Sequence, residues 1–513
     1  MIKYKHFFIL ILSAFLLVAC SSAKENNPNQ KNLTLLFNFS ADTIDPHIDR
    51  TYTALRSGVT ETLIKINENL KLSPWLAESW ESEDGRMWKI HIRKGVKFHN
   101  GKLVDAEAVK NSLQRAMDEN PAIKAALKIK KMEAKEQILF IETEDIFPSF
   151  PSELVHPNTA IIDVNEKDID KKPIGTGPFQ ISSFTSGVSL QVKRFEDYWD
   201  GKARLAQATF AFNEDANARY LAIKSGDADI IFRPPIESME ELKKDKNIRV
   251  QAVPSLRVHQ LTMNMRSPFM SDIYMRKAID SLLDRKEVVE HVLNGQGSVA
   301  SGPFLSDFPF SFSYEKEITT GINAARQYLE QGGYVFENGK LKKNGNYVQL
   351  KMLTYSARPE LPIIAQLLQA RAKELGIDIS IQQVENIDEY LTNMSDWDIA
   401  TYSNLTAPRG DSSYYLNATY MKQGALNYGG VTHKRLTQII DELNKTMDEK
   451  KRNELTREAL QIIHDEVLHS FVVYPHIVVA YKDYVKNLVI DKSEYYMITK
   501  DLDVKNEDEK NNE

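Results

Sequence analysis

Apolar and polar residues alternate strictly through Trp88-Lys89-Ile90-His91-Ile92-Arg93, and an apolar run, Leu33-Thr34-Leu35-Leu36-Phe37, opens the body of the chain. Both patterns predict strands. Downstream the period changes to that of a helix. Asp105 is placed to cap a helix whose apolar face is Val109, Leu113, Ala116 and Met117. Further helices are predicted over 324–330, over 362–375 ending before Gly376, and over 434–443. Near the end, residues 471–474 and 477–480 read as two buried strands. This interleaving of strands and helices favours an α/β architecture. From residue 501 onward the chain is charged and almost free of apolar residues, which predicts a disordered tail over 501–513.

The N-terminus carries a different pattern. Lys3 and Lys5 precede an apolar run that ends at Cys20, the only cysteine of the chain. A basic flank and about a dozen apolar residues make a secretory signal, too short for a membrane span. Leu17-Val18-Ala19-Cys20 resembles the bacterial lipobox, which implies a signal peptide over 1–19, cleavage before Cys20 and lipidation of that cysteine. Residues 20–30 then form a polar tether, and the body is expected on the outer face of a cell membrane.

Composition narrows the function further. The 513 residues carry 65 Lys plus Arg against 71 Asp plus Glu, a formal charge of −6, which is a poor match to nucleic acid. One cysteine excludes a disulfide framework or a multi-thiolate zinc site. Catalytic motifs are missing: no HExxH and no GxSxG occurs. Gly175-Thr176-Gly177 runs into Pro178, which spoils a helix-start phosphate cradle. The expectation is a protein that is not an enzyme and needs no cofactor.

Six segments in series carry a resemblance. Pro74-Trp75-Leu76-Ala77-Glu78-Ser79-Trp80 precedes Glu83-Asp84-Gly85, and the chain then runs through Arg93-Lys94-Gly95-Val96-Lys97-Phe98-His99-Asn100-Gly101. Asp105-Ala106-Glu107-Ala108-Val109, Gly175-Thr176-Gly177-Pro178-Phe179, Tyr198-Trp199 and Arg276-Lys277-Ala278-Ile279 follow. Together they resemble the family 5 solute-binding proteins of ATP-driven importers, which capture short peptides and nickel chelates. The resemblance implies a two-lobed periplasmic-binding-protein-like fold with an extra third domain. Lobe I would take 31–60, 174–258 and 474–500, the extra domain 61–173, and lobe II 259–473. It also implies a monomer whose partners are membrane permease subunits with a cytoplasmic ATPase.

By the same resemblance, Arg358 stands where peptide-binding members place an arginine on the ligand carboxylate, and Asp411 where they keep an aspartate for its ammonium. A guanidinium suits that task because its planar fork meets both oxygens. Arg233 and Arg409 are further anion ligands, and Tyr402, Tyr414, Tyr428 and His476 further candidates for the ligand site. Several arginines with one aspartate suit glutathione, a small anionic tripeptide, as first expected ligand. The alternative is a nickel chelate, with His47, His156 and His476 as candidate metal ligands. Against it, the arginine and tryptophan that nickel-chelate relatives use are replaced by apolar residues around Ile123 and Ala126. Arg409-Gly410-Asp411 also permits a third expectation, a surface adhesin, if the tripeptide projects on an exposed loop.

Overall fold

The computed structural model describes residues 31–312 and 320–505. The expected signal peptide, Cys20 and the expected tether therefore lie outside the described residues. Among those described, no helix is long and apolar enough to cross a membrane.

The predicted N-terminal strand forms as Asn32–Phe37, and it sits deep inside a mixed sheet. Read from one edge, that sheet runs Asp378–Gln383, Gln349–Thr354, Ile399–Leu405, Arg257–Met263, His469–Lys482, Ile230–Phe232, Asn32–Phe37, Gln207–Phe212, Ser189–Arg194 and Phe179–Thr185. One half therefore comes from the expected lobe II and the other from the expected lobe I. They share a single strand. Residues 471–474 and 477–480, expected as two strands, are parts of one fourteen-residue strand, His469–Lys482. Its first half pairs with Arg257–Met263 and its second with Ile230–Phe232 and Ile248–Pro254. Pro475 is the last rung of a short pairing with Gly297–Val299, at the point where the main partners change, so its missing N–H falls at the end of a ladder. Its carbonyl accepts from Ser255 N at 3.1 Å.

Residues of the expected extra domain build a separate four-stranded antiparallel sheet, Ala77–Glu81, Met87–Ile92, Ile138–Thr143 and Ile129–Lys135. The helix Ala106–Glu119 packs on it through Val109, Leu113, Ala116 and Met117, all buried. Asp105 caps this helix, its side chain accepting from Ala108 N at 2.8 Å. The apolar core beneath is continuous with that of helices Lys434–Leu443 and Glu449–Asp465. Gly177 is needed for close approach: a Cβ there would lie 2.2 Å from the carbonyl oxygen of Gly58.

The expected disordered tail needs correction at its start. Leu502 and Asp503 are buried, and Asp503–Val504 pairs with Val485–Lys486. Asp503 also binds Lys31 Nζ at 2.8 Å, which ties the two ends of the body together. Residues 506–513 lie outside the described residues.

Candidate functional site

A cavity of about 590 Å³ opens where the two halves of the sheet meet. Six arginines reach its wall: Arg50, Arg56, Arg233, Arg257, Arg358 and Arg409. Each is placed by its own local chemistry.

The Asp49 carboxylate accepts from the main-chain nitrogens of Thr51 and Thr53, each at 2.7 Å, and so starts the short helix Thr53–Arg56. Tyr52 between them stands at φ 56°. That turn aims Arg50, Tyr52 and Arg56 at the cavity, where the Arg56 guanidinium lies over Phe39 at 4.8 Å. Arg233 follows the end of Ile230–Phe232 at φ 51°, a strained conformation for a residue before proline. Arg219 holds that turn from behind. It donates to the carbonyls of Asn213 at 2.6 Å, Phe232 at 2.9 Å and Arg233 at 2.8 Å.

Not all six guanidiniums are equally committed. Arg409 is paired with the buried Glu153 and stacks over Tyr414 at 4.5 Å. Arg358 and Arg50 have no ion pair among the described residues. Arg257 Nε, Arg409 Nε and Ser403 Oγ are buried without a hydrogen-bond partner. Unmet donors in a cavity wall are what an anionic ligand would satisfy.

On the opposite side, Tyr402 donates to Asp388 Oδ1 at 2.5 Å and Tyr428 to the same oxygen at 2.8 Å. Burial, together with the neighbouring carboxylate, pushes both phenols up from their ordinary pKa. Tyr402 lines the cavity; Tyr428 lies behind it and fixes Asp388, a correction to its expected contact with ligand. The second oxygen of Asp388 keeps its acceptor capacity.

His156 also reaches the wall. Burial, with a smaller contribution from Arg409, keeps its imidazole neutral, its pKa well below the ordinary value. Its Nδ1 accepts from Asn158 N at 3.1 Å, so the proton of the neutral ring sits on Nε2. It therefore offers a donor rather than a metal-binding lone pair.

The other histidines are structural. His47 is fully buried, its Nε2 facing the Ala160 carbonyl at 3.0 Å and its Nδ1 facing Arg115 at 2.8 Å. Burial lowers its pKa to about 4. His476 bonds Ser298 Oγ at 2.9 Å and lies outside the cavity wall. Among the described residues, no group of three or more His, Cys, Asp or Glu side chains converges to hold a metal ion.

Asp411 requires the largest correction. It is absent from the cavity wall; Arg452 Nη2 donates to its Oδ2 at 2.6 Å and Ser413 N to its Oδ1 at 2.7 Å. Burial alone would raise its pKa, but Arg452 and Ser413 hold the carboxyl below the ordinary value. Arg409-Gly410-Asp411 is thus tied at both charged ends, and it does not project as an adhesive loop.

Sequence reasoning missed Arg50, Arg56, Arg257, Asp388 and Glu494. Only Arg257 carried a positional signal, as the first residue of a central strand; Arg56 and Asp388 lie on short helices and Arg50 and Glu494 in turns, where no pattern marks them.

The model of the bacterial extracellular solute-binding proteins, family 5 Middle, matches residues 71–427. The nickel-binding protein NikA of Staphylococcus aureus is 31% identical over 497 residues, covering 97% of this chain and 98% of its own. Its crystal structure in complex with Ni(L-His)2 superposes with a TM-score of 0.78 over 93% of this chain and 100% of that one. A crystal structure described as a nickel ABC transporter from Bacillus halodurans is 50% identical, with a TM-score of 0.84, over 93% of this chain and 100% of its own. The glutathione-binding protein GsiB of Escherichia coli is 25% identical over 456 residues, 85% of this chain and 87% of that one.

Proposed function

This chain belongs to the bacterial extracellular solute-binding proteins of family 5, which are transport receptors and not enzymes, and from that premise we propose that its ligand is a nickel(II) ion already wrapped in small amino-acid carboxylates. The receptor is the substrate-binding protein of an ABC importer, whose partners are permease and ATPase subunits. The observation that carries the ligand reading is a guanidinium-lined cavity with no metal-holding cluster among the described residues. Such a wall takes hold of carboxylates, so the metal must arrive with its own ligands. His156 adds a neutral N–H donor to that wall. NikA of Staphylococcus aureus, described as nickel-binding, and the Bacillus halodurans structure, described as a nickel ABC transporter, support this chemistry.

A second reading is a short peptide, with glutathione first. The free oxygen of Asp388 favours it, because a peptide brings an ammonium that a chelated amino acid has given to the metal. Arg358 and Asp388 would then hold the two charged ends that were assigned to Arg358 and Asp411. In either case the two halves of the sheet would close over the ligand about the strand they share. Cys20 would carry the lipid that keeps the receptor at the membrane, and a Cys20→Ala protein should be released to the medium.

Titration calorimetry decides between the ligands. The metal-free protein should bind nickel–histidine one-to-one and ignore nickel alone. Saturable binding of glutathione or a dipeptide, with none of the chelate, would replace the first reading by the second.

A further inference from the structure

Glu494 sits among the cationic side chains of the cavity with its backbone at φ 65°, a conformation a glutamate enters only at a cost. The strained turn delivers its carboxylate between two arginines that flank the shared strand. Oε1 lies 3.5 Å from Arg233 Nη2, which follows Ile230–Phe232, and 3.5 Å from Arg257 Nε, which begins Arg257–Met263. Ser255 Oγ donates to the same oxygen at 3.0 Å. The main-chain carbonyl of Glu494 accepts from Arg56 Nε at 2.9 Å. The side chain is only 12% exposed, so its interactions with these cations are weakly screened.

This arrangement matches what a ligand carboxylate would do in the same place. We infer that Glu494 is a built-in competitor for the guanidiniums and sets the ligand charge the cavity prefers. It pairs with Arg233 and Arg257 when no ligand is bound and also feels the charge of Arg358, so a ligand carboxylate reaching Arg358 or Arg50 meets its field. A ligand with one more carboxylate meets Glu494 as a like charge, and a less anionic one does not. Specificity for charge then comes from a repulsive group as much as from the attractive ones. The inference rests on the reading of the cavity as an anion site and adds to it the residue that grades anions by charge.

Glu494→Gln keeps the shape and removes the charge. Two probes are used: citrate, and a pair of nickel chelates of different charge, neutral nickel bis-histidine and anionic nickel nitrilotriacetate. The variant should bind citrate about tenfold more tightly than wild type, and its preference should move toward the anionic chelate by a similar factor. Ser255→Ala, which frees the carboxylate from its hydrogen bond without discharging it, should alter the same ratio by a smaller factor. An unchanged citrate affinity, or a parallel loss for every probe, overturns the inference. If wild type binds neither chelate, the proposed ligand class fails, and the citrate comparison still judges Glu494. If Glu494→Gln does not fold, the Ser255→Ala ratio decides, and an unchanged ratio there overturns the inference.

Discussion

Replacing Asp411 by alanine should destabilise the fold and leave ligand affinity unchanged. The carboxylate binds Arg452 at 2.6 Å, with the two side chains 19% and 10% exposed. Charge centres about 4 Å apart attract by roughly 4 kcal/mol at an effective dielectric of 20, and removing one partner of a buried pair costs about 3–5 kcal/mol. The cap on Ser413 N is lost as well, which places the expected loss at the upper end of that range. Urea unfolding followed by tryptophan fluorescence measures it, with calorimetry on the same protein as control. The carboxyl titrates below its ordinary value when folded, so its contribution is present above the unfolded pKa and is lost as pH falls through the folded one. The gap between wild type and variant should therefore narrow in acid. Asp411→Ala combined with Arg452→Met removes the stranded cation and should recover part of the loss. The reasoning is refuted if Asp411→Ala unfolds like wild type but no longer binds ligand.

Arg358→Ala should do the opposite, weakening ligand binding by thirtyfold or more, from about 2–5 kcal/mol for a desolvated charge pair, with unfolding unchanged; calorimetry and urea curves together check it. Gly177→Ala should cost about 2–4 kcal/mol, since its Cβ would meet the Gly58 carbonyl at 2.2 Å, and a thermal melt would reveal a protein as stable as wild type if this packing argument fails. His99 and His469 are held neutral by burial, with pKa values lowered to about 4 and about 3. Each contributes stability that is full above pH 6.5 and is lost as pH falls toward those values, so His469→Phe should flatten the stability profile across that window.

The elements whose signal is local were legible. Helix Lys434–Leu443 has the predicted bounds because Leu436, Ile439, Ile440 and Leu443 form one buried stripe whatever lies beneath it. The Asp105 cap is decided within three residues. The cavity is different, because its wall is gathered from segments that share no pattern. Arg56 and Glu494 are 438 residues apart, and nothing along the chain announces their contact. Asp411 was misplaced for the same reason, since its partner stands 41 residues downstream on Glu449–Asp465, a helix that was not among those expected. The continuity of His469–Lys482 was hidden by Pro475, a residue that interrupts most strands but is harmless where the ladder changes partners.

That shared strand constrains how the molecule is made. It is the inner strand between both halves of the sheet, yet it lies within the last tenth of the sequence. A chain still emerging from the ribosome lacks it until almost all the rest has been synthesised. Until then Arg257–Met263 and Ile230–Phe232 each present an open edge where their common neighbour belongs. Neither half can reach its final sheet early, and long-range pairing of this kind is slow to form. For a member of a family of extracellular receptors, the sheet that joins the two halves is therefore the last part of the structure that synthesis makes possible.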